Sequence, residues 1–578
     1  MAELVSGIPS TMNDSYQLNL RKMFERGCRI QRNNEIVTRV DGGYHRMTYA
    51  QLQHRSTKIA SALQKCGVGI GDRVASFMWN NARHLMLYYA VPSMGCVLHT
   101  LNFRLHAKEL AYLIQHADNQ VIFVDADVLP LLEAVPVSAF ANVKKIIVCG
   151  DNMKSGGWTQ RNSSLPSAVD FELFEATGDS TYHWPELDER SAMALCYTSG
   201  TTGNPKGVAY SHRSTYLHTL AAMTADCQSL KGYDCVLPIV PMFHALGWGY
   251  PFIALTMGLK ILFVHNSKDY TDVLDMCLHE ECNLVAGVPT VMQAFRAALQ
   301  ANPAKYAALK GKLTRCICGG SAPPAELIEW FINHWQIELI QAWGMTETNP
   351  LGTVARRCAT RRDLENNQNG KHQELTRNQQ VCGLAMPLVE LKVVNPDNLD
   401  QPLPADGEQV GELLCKGPWV TKEYFGVDAK EKFHGDGWLK TGDMAVITKD
   451  QQMVIRDRSK DMIKSGGEWI SSVDMENHVM ALNEVDMAVV VAVPHPKWDE
   501  RPIVIVTLKN GSKDEAATKQ KIRKHLKTRF SKFQLPDDIL VWSEIPLTGT
   551  GKMSKKLVRE KLNKLRYTLP TLRIQSKL

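Results

Sequence analysis

The chain reads as an α/β protein in two unequal parts, a large helix-covered unit followed by a smaller α+β one. Three observations predict this. Short apolar runs alternate with helix-like segments over residues 30–355, the pattern of sheets covered by helices. Residues 383–448 then turn β-rich with Gly and Pro punctuation. Finally, 578 residues are more than a single hydrophobic core organises.

The elements follow in order. Residues 74–78 (Val-Ala-Ser-Phe-Met), 121–124, 145–149, 259–264 and 284–288 read as buried strands, and 49–66 and 291–300 carry apolar residues at helical spacing. Residues 356–380 are polar and charge-rich, a surface excursion or a solvated helix. Residues 391–394, 411–415 and 444–447 read as strands. A boundary falls at 456–461 (Arg-Asp-Arg-Ser-Lys-Asp), giving units at 1–457 and 458–570 and a mobile tail at 571–578. The second unit has strands at 487–493 and 503–508. A basic helix follows over 514–530, with Ile522, Leu526 and Phe530 on one face. The charges around that face (Lys519, Lys521, Arg523, Lys524, Lys527, Arg529) read first as a solvated surface and second as a patch for the phosphates of coenzyme A.

Composition excludes several classes. A net charge of +6, with Lys and Arg spread among matching acids, is no nucleic-acid footprint, though it suits anionic substrates. Fourteen cysteines include no C-x-x-C pair, so they read as small buried hydrophobes in a reducing compartment, Cys316 and Cys318 on one buried strand. The most apolar stretch, 250–264, is too short to span a bilayer and is broken by Lys260. Residues 1–9 lack the basic and apolar regions of a signal peptide. The sequence ends in Ser576, Lys577 and Leu578, the peroxisomal import address, which predicts an import receptor as partner and a peroxisomal location.

Chemistry concentrates at residues 197–207 (Tyr-Thr-Ser-Gly-Thr-Thr-Gly-Asn-Pro-Lys-Gly). The glycines let backbone N–H groups approach an anion. Thr198, Ser199, Thr201 and Thr202 add short donors beside Gly200 and Gly203, and Lys206 adds a point charge. The result is a phosphate cradle, but not a Walker loop, because Pro205 precedes the lysine and Gly207 follows it.

This segment resembles the phosphate loop of the adenylate-forming superfamily of acyl-CoA synthetases, luciferases and peptide-synthetase adenylation domains. Six further segments resemble that family's motifs in its order: 319–324 (Gly-Gly-Ser-Ala-Pro-Pro), 341–348 (Gln-Ala-Trp-Gly-Met-Thr-Glu-Thr), 441–443 (Thr-Gly-Asp), 457–460 (Asp-Arg-Ser-Lys), 465–471 (Ser-Gly-Gly-Glu-Trp-Ile-Ser) and 546–552 (Pro-Leu-Thr-Gly-Thr-Gly-Lys). The resemblance implies two helix-covered sheets plus a small barrel-like part, then a mobile C-terminal domain. It implies an ATP-dependent acid–CoA ligase that passes through an acyl-adenylate, with ATP, Mg²⁺ and coenzyme A.

The same resemblance distributes roles. Gly319, Gly320 and Ser321 fall at the adenine turn. Gln341, Ala342 and Trp343 lead to Thr346, for the α-phosphate, and Glu347, for Mg²⁺. Asp443 and Arg458 fall at the ribose, Gly466, Gly467 and Trp469 at the pantetheine path, and Lys552 at the catalytic lysine. The segment 241–251 falls beside the acyl pocket, where His244 either contacts the carboxylate end of the acid or packs in the core, and Trp248 and Tyr250 either wall the pocket or simply pack. A hard carboxylate suits Mg²⁺ among phosphates, and a lysine on a Gly/Thr loop can reach charge developing at the α-phosphate. The forms of 465–472 and 241–251 resemble medium-chain fatty-acyl-CoA synthetases and related short-acid ligases. A luciferase-type oxygenase shares the fold and often the tail. An enzyme serving a carrier protein is disfavoured, since no carrier serine motif follows. A non-catalytic scaffold would have lost Glu347, Asp443 or Lys552. These motifs do not encode acyl chain length or oligomeric state.

The resemblance puts the interdomain hinge at Lys460. Lys460→Pro is expected to slow thioester formation while sparing adenylation, checked by pre-steady-state measurement of each step; equal losses in both would refute the hinge.

Overall fold

The computed structural model describes residues 5–150, 165, 167–198, 204–267, 269–355, 381–465, 468–509, 514–548 and 552–569. Four sheets organise them. The first has seven strands, with Arg73–Phe77 at its centre between Asn119–Asp125 and Val97–Thr100, and all its pairings are parallel except the last, Ala192–Tyr197 with Gly207–Ser211. The strands are short and Val/Ile/Leu-rich because both faces are covered. Helices Tyr49–Lys65 and Ala82–Ser93 pack within the largest core. The first of these starts on a Thr48 capping box that satisfies its free N–H groups.

The second sheet has nine strands. Its parallel centre runs Glu338–Gly344, Arg315–Gly319, Leu284–Gly287, Cys235–Pro238, Lys260–Phe263, Glu35–Val40. Cys316 and Cys318 are fully buried on it, as the apolar run predicts, and the described cysteines form no disulfide. At the start of Arg315–Gly319, Arg315 donates to the carbonyls of Gln228 and Ser229, both at 2.7 Å, and to Asp234 at 3.0 Å. That clamp fixes the strand whose far end delivers Gly319 and Gly320.

A third, six-stranded antiparallel sheet (Glu390–Asn395, Gly411–Lys416, Trp438–Ile447 and Met453–Arg458 among its strands) curls into a small, nearly closed barrel-like unit. The chain then turns through Lys460 into a five-stranded sheet. There Val485–His495 pairs with Asp499–Leu508 over eleven residues' length, and side chains alternate faces. Ala488, Val490, Val504 and Val506 meet helices Ser472–Met480 and Glu515–Leu526 on one side. Val489, Val491, Ile503 and Ile505 meet helix Lys555–Lys564 on the other. The basic helix stops at Leu526 rather than running to residue 530; Phe530 still reaches the core from the following turn. The stretch 356–380 and the tail 571–578 lie outside the described residues. Among the described residues no helix is long and apolar enough to cross a membrane.

Candidate active site

In α/β sheets the loops at the carboxyl ends of the parallel strands meet ligands, and Thr198, Gly320 and Thr346 follow such ends here. Strand Ala192–Tyr197 ends at the root of the glycine loop. Tyr197 is held there by a 2.7 Å hydrogen bond between its phenol and His116 Nδ1. Thr198 N–H donates to the carbonyl of Lys206 at 2.9 Å, and Lys206 N–H donates back to the Thr198 hydroxyl at 3.2 Å, pinching the loop's two ends together. Ser199, Gly200, Thr201, Thr202 and Gly203 lie outside the described residues.

Strand Arg315–Gly319 delivers Gly319 and Gly320. A Cβ on Gly319 would meet the Trp248 indole at 2.9 Å and the Ala342 carbonyl at 3.0 Å. Gly320 has φ +86°, and a Cβ there would fall 2.6 Å from Lys552 Cε. The left-handed backbone at 320 favours glycine, and a side chain there would displace the end of the Lys552 side chain. Ser321 follows, exposed. In the adjacent strand Gln341 is buried, its amide on Cys382 Sγ at 2.9 Å and its Oε1 without a partner among the described residues. Ala342 lies opposite Gly319.

Trp343 donates its indole N–H to Asp443 Oδ2 at 2.8 Å, while Arg458 Nε lies 2.6 Å from Asp443 Oδ1. Asp443 is 1% exposed, so both oxygens are oriented before any ligand arrives. Thr346 is buried, its carbonyl taking the Tyr210 phenol at 2.6 Å.

Glu347, also buried, accepts from the Tyr424 phenol through Oε1 at 2.7 Å. Burial raises its carboxyl, opposed by that hydrogen bond and by the more distant Arg458 and Lys432. Among the described residues Glu347 forms no ion pair, and no group of three His, Cys, Asp or Glu side chains could hold a metal by itself. One hard carboxylate lacking a close countercharge fits Mg²⁺, which takes one or two carboxylates and completes its shell with substrate phosphates.

The lysine from the small unit closes the crevice. Lys552 lies over Gly320, and its N–H is fixed by the Thr548 hydroxyl at 3.1 Å. Burial lowers its ammonium to about 8, assisted by Arg458 and opposed by Asp443. Burial, with Lys552 and Arg104, likewise pushes the His244 imidazole down to about 3, so it is neutral at physiological pH. Trp248 is buried on a turn of left-handed backbone. Lys460 is exposed in the turn between Met453–Arg458 and Ile463–Ser465. Gly466 and Gly467 lie outside the described residues, and Trp469 is exposed, 5.6 Å below the Lys464 ammonium. The structure therefore brings together Lys206, Gly319, Gly320, Trp343, Thr346, Glu347, Asp443, Arg458, His244, Trp248 and Lys552, and leaves Trp469 outside.

The motif reading missed Tyr424, Tyr210 and the His116–Tyr197 pair. Each is a lone aromatic or His whose partner is distant in sequence, so no local pattern marks it.

Residues 24–425 match the AMP-binding enzyme family, and residues 474–552 match the AMP-binding enzyme C-terminal domain. The chain belongs to the AMP-binding enzyme family. It is 38% identical over 546 residues to a medium-chain-fatty-acid–CoA ligase of Ectopseudomonas oleovorans, covering 94% of this chain and 96% of that one. It is 39% identical over 562 residues to a long-chain-fatty-acid–CoA ligase of Thermus thermophilus, covering 96% and 98%. A peroxisomal acetate/butyrate–CoA ligase of Arabidopsis thaliana is 32% identical, over 90% of this chain and 91% of that one. The crystal structure of an anthranilate CoA ligase in complex with anthranoyl-AMP shares the fold at TM-score 0.81 and 21% identity, covering 95% and 99%.

Trp343→Phe keeps an aromatic ring but removes the N–H that holds Asp443. A hydrogen bond to a charged group contributes about 1.5 kcal/mol, so ATP is expected to bind roughly tenfold more weakly, read by calorimetry.

Proposed function

We propose that this family member activates medium-chain fatty acids, using ATP to form an acyl-adenylate and then coenzyme A to form the thioester, with release of pyrophosphate and AMP. One observation carries the reading: Lys552, from the small unit, reaches over Gly320 into the crevice shared by Asp443, Arg458 and His244. The chain-length assignment is supported by the relative of that name.

The steps need little covalent help from the protein. The acid's carboxylate attacks the α-phosphorus and pyrophosphate departs; the thiol then attacks the mixed-anhydride carbonyl and AMP departs. Rate comes from positioning and charge stabilisation. In this reading the glycine loop and Lys206 hold the departing pyrophosphate. Asp443 accepts from the ribose hydroxyls, Arg458 orients it, and Trp343 braces both. Gly319, Gly320 and Ser321 line the adenine turn with the backbone of Gln341 and Ala342. Thr346 donates to the α-phosphate, and the Lys552 ammonium meets the charge that develops there. Glu347 holds Mg²⁺, which supplies charge neutralisation on the phosphate oxygens. Neutral His244 and Trp248 wall the carboxylate end of the acid. Rotation about Lys460, at the junction of units 1–457 and 458–570, then withdraws Lys552 and presents Gly466, Gly467 and Trp469 to coenzyme A. The Ser576-Lys577-Leu578 end addresses the enzyme to peroxisomes, where acid activation precedes oxidation.

The test is a panel of acids from acetate to palmitate, with aromatic acids, scored by AMP release that needs both ATP and coenzyme A. Highest kcat/KM at about eight to twelve carbons is expected. An inactive panel removes the ligase reading, and an optimum elsewhere removes the chain-length assignment.

The lowered lysine makes a second prediction. Only protonated Lys552 stabilises the adenylation transition state, so kcat/KM for adenylation falls as pH rises through about 8. Lys552→Arg should lower the rate and move that alkaline limb above pH ~10, since guanidinium stays charged; an unmoved limb would assign it to another group.

A further inference from the structure

The segment 421–425 touches the site three times within five residues. Thr421 N–H donates to the Glu347 carbonyl at 2.8 Å. Tyr424 donates its phenol proton to Glu347 Oε1 at 2.7 Å. Phe425 N–H donates to the Gly207 carbonyl at 2.8 Å, where the glycine loop rejoins its strand. Tyr424 makes a fourth contact: the Lys206 ammonium stands 5.1 Å from its ring centroid, inside cation–π range. The ring is 6% exposed and is backed by Phe433 at 6.0 Å. One rigid phenol therefore spans the carboxylate on one loop and the ammonium on another, and the backbone on either side of it is bonded to both loops.

We infer that Tyr424 is a positioning residue for metal-bound triphosphate, locking Glu347 and Lys206 at a fixed separation. Its O–H occupies Glu347 Oε1, which leaves Oε2 as the available metal ligand and sets the plane of the carboxylate. Partners behind a ligating carboxylate commonly govern metal affinity in this way, at about 10- to 100-fold. Its ring face holds Lys206, whose other neighbour, the Glu431 carboxylate at 3.6 Å, would otherwise draw it toward solvent. The inference rests on Glu347 holding Mg²⁺, as read above.

Three variants of the full chain test it by calorimetry of ATP binding, with no acid present, once with excess Mg²⁺ and once with EDTA. Glu347→Gln is the reference and should weaken binding only when Mg²⁺ is present. Tyr424→Phe keeps the ring and loses the proton. It should weaken Mg²⁺·ATP about tenfold and change metal-free ATP less than about twofold. Tyr424→Leu also loses the ring face and should weaken metal-free ATP as well. Supplied acyl-adenylate should react with coenzyme A at the wild-type rate in Tyr424→Phe, because that step needs no triphosphate. Equal weakening with and without Mg²⁺, or none, overturns the positioning role while leaving Glu347 as the metal ligand. If Glu347→Gln itself leaves the Mg²⁺ preference intact, the metal assignment of Glu347 falls and this inference with it.

Discussion

The arrangement turns on one buried carboxylate. Asp443 is held on Oδ2 by the Trp343 indole and on Oδ1 by the Arg458 guanidinium; Arg458 is its cross-strand partner in the same sheet, and Trp343 reaches it from another. Trp343 ends a strand of the nine-stranded sheet, Asp443 sits mid-strand in the barrel-like sheet, and Arg458 is the last residue before the turn into the small unit. A carboxyl group at 1% exposure is costly unless its polar atoms are paired. The sheets therefore meet in one relative position, the one that pairs them. Lys552 then enters a crevice whose positive charge is already set by Arg458, which is one reason its ammonium is lowered.

Much of the chemistry was legible because the family's motifs are local. The turn at 319–321 and the run at 341–347 each place backbone and side chain together within a few residues, so residue type and spacing suffice. Strand positions were equally legible: apolar runs such as 145–149 and 284–288 are buried on both faces, and a period-independent signal serves them well. The end of the basic helix was not, since Phe530 keeps the helical spacing after the helix has stopped at Leu526.

What stayed hidden was support rather than chemistry. Tyr424 is 77 residues from Glu347 and more than 200 from Lys206, and nothing near it announces either partner. The junction around Lys460 is similar. Asp457 accepts from the Ser472 N–H at 2.6 Å, and Lys555, 3.8 Å from Asp457, lies 3.0 Å from Glu476; Arg559 reaches Asp461 at 2.7 Å. Burial raises Glu476 while its acids raise Lys555, the pattern of a pair that depends on its partner. Removing one member of such a network strands the others. Asp457 and Asp461, on either side of Lys460, are thus tied to helices Ser472–Met480 and Lys555–Lys564.

The wall beside Gly319 has a different character. Ala245, Leu246, Gly247, Trp248 and Gly249 all carry positive φ, from 36° to 82°, and the right-handed helix Tyr250–Met257 begins at once. Each side-chain-bearing residue in that turn costs about 1 kcal/mol relative to ordinary backbone. The chain reverses its sense of winding at Gly249, where a Cβ would press on His218 at 3.1 Å. A seam between opposite hands cannot slide, because a residue crossing it must change hand altogether. Adding or removing a residue on either side would turn the indole away from the sheet. Substitutions that change only side-chain size leave the outline of this wall in place, because the handedness of its backbone sets it.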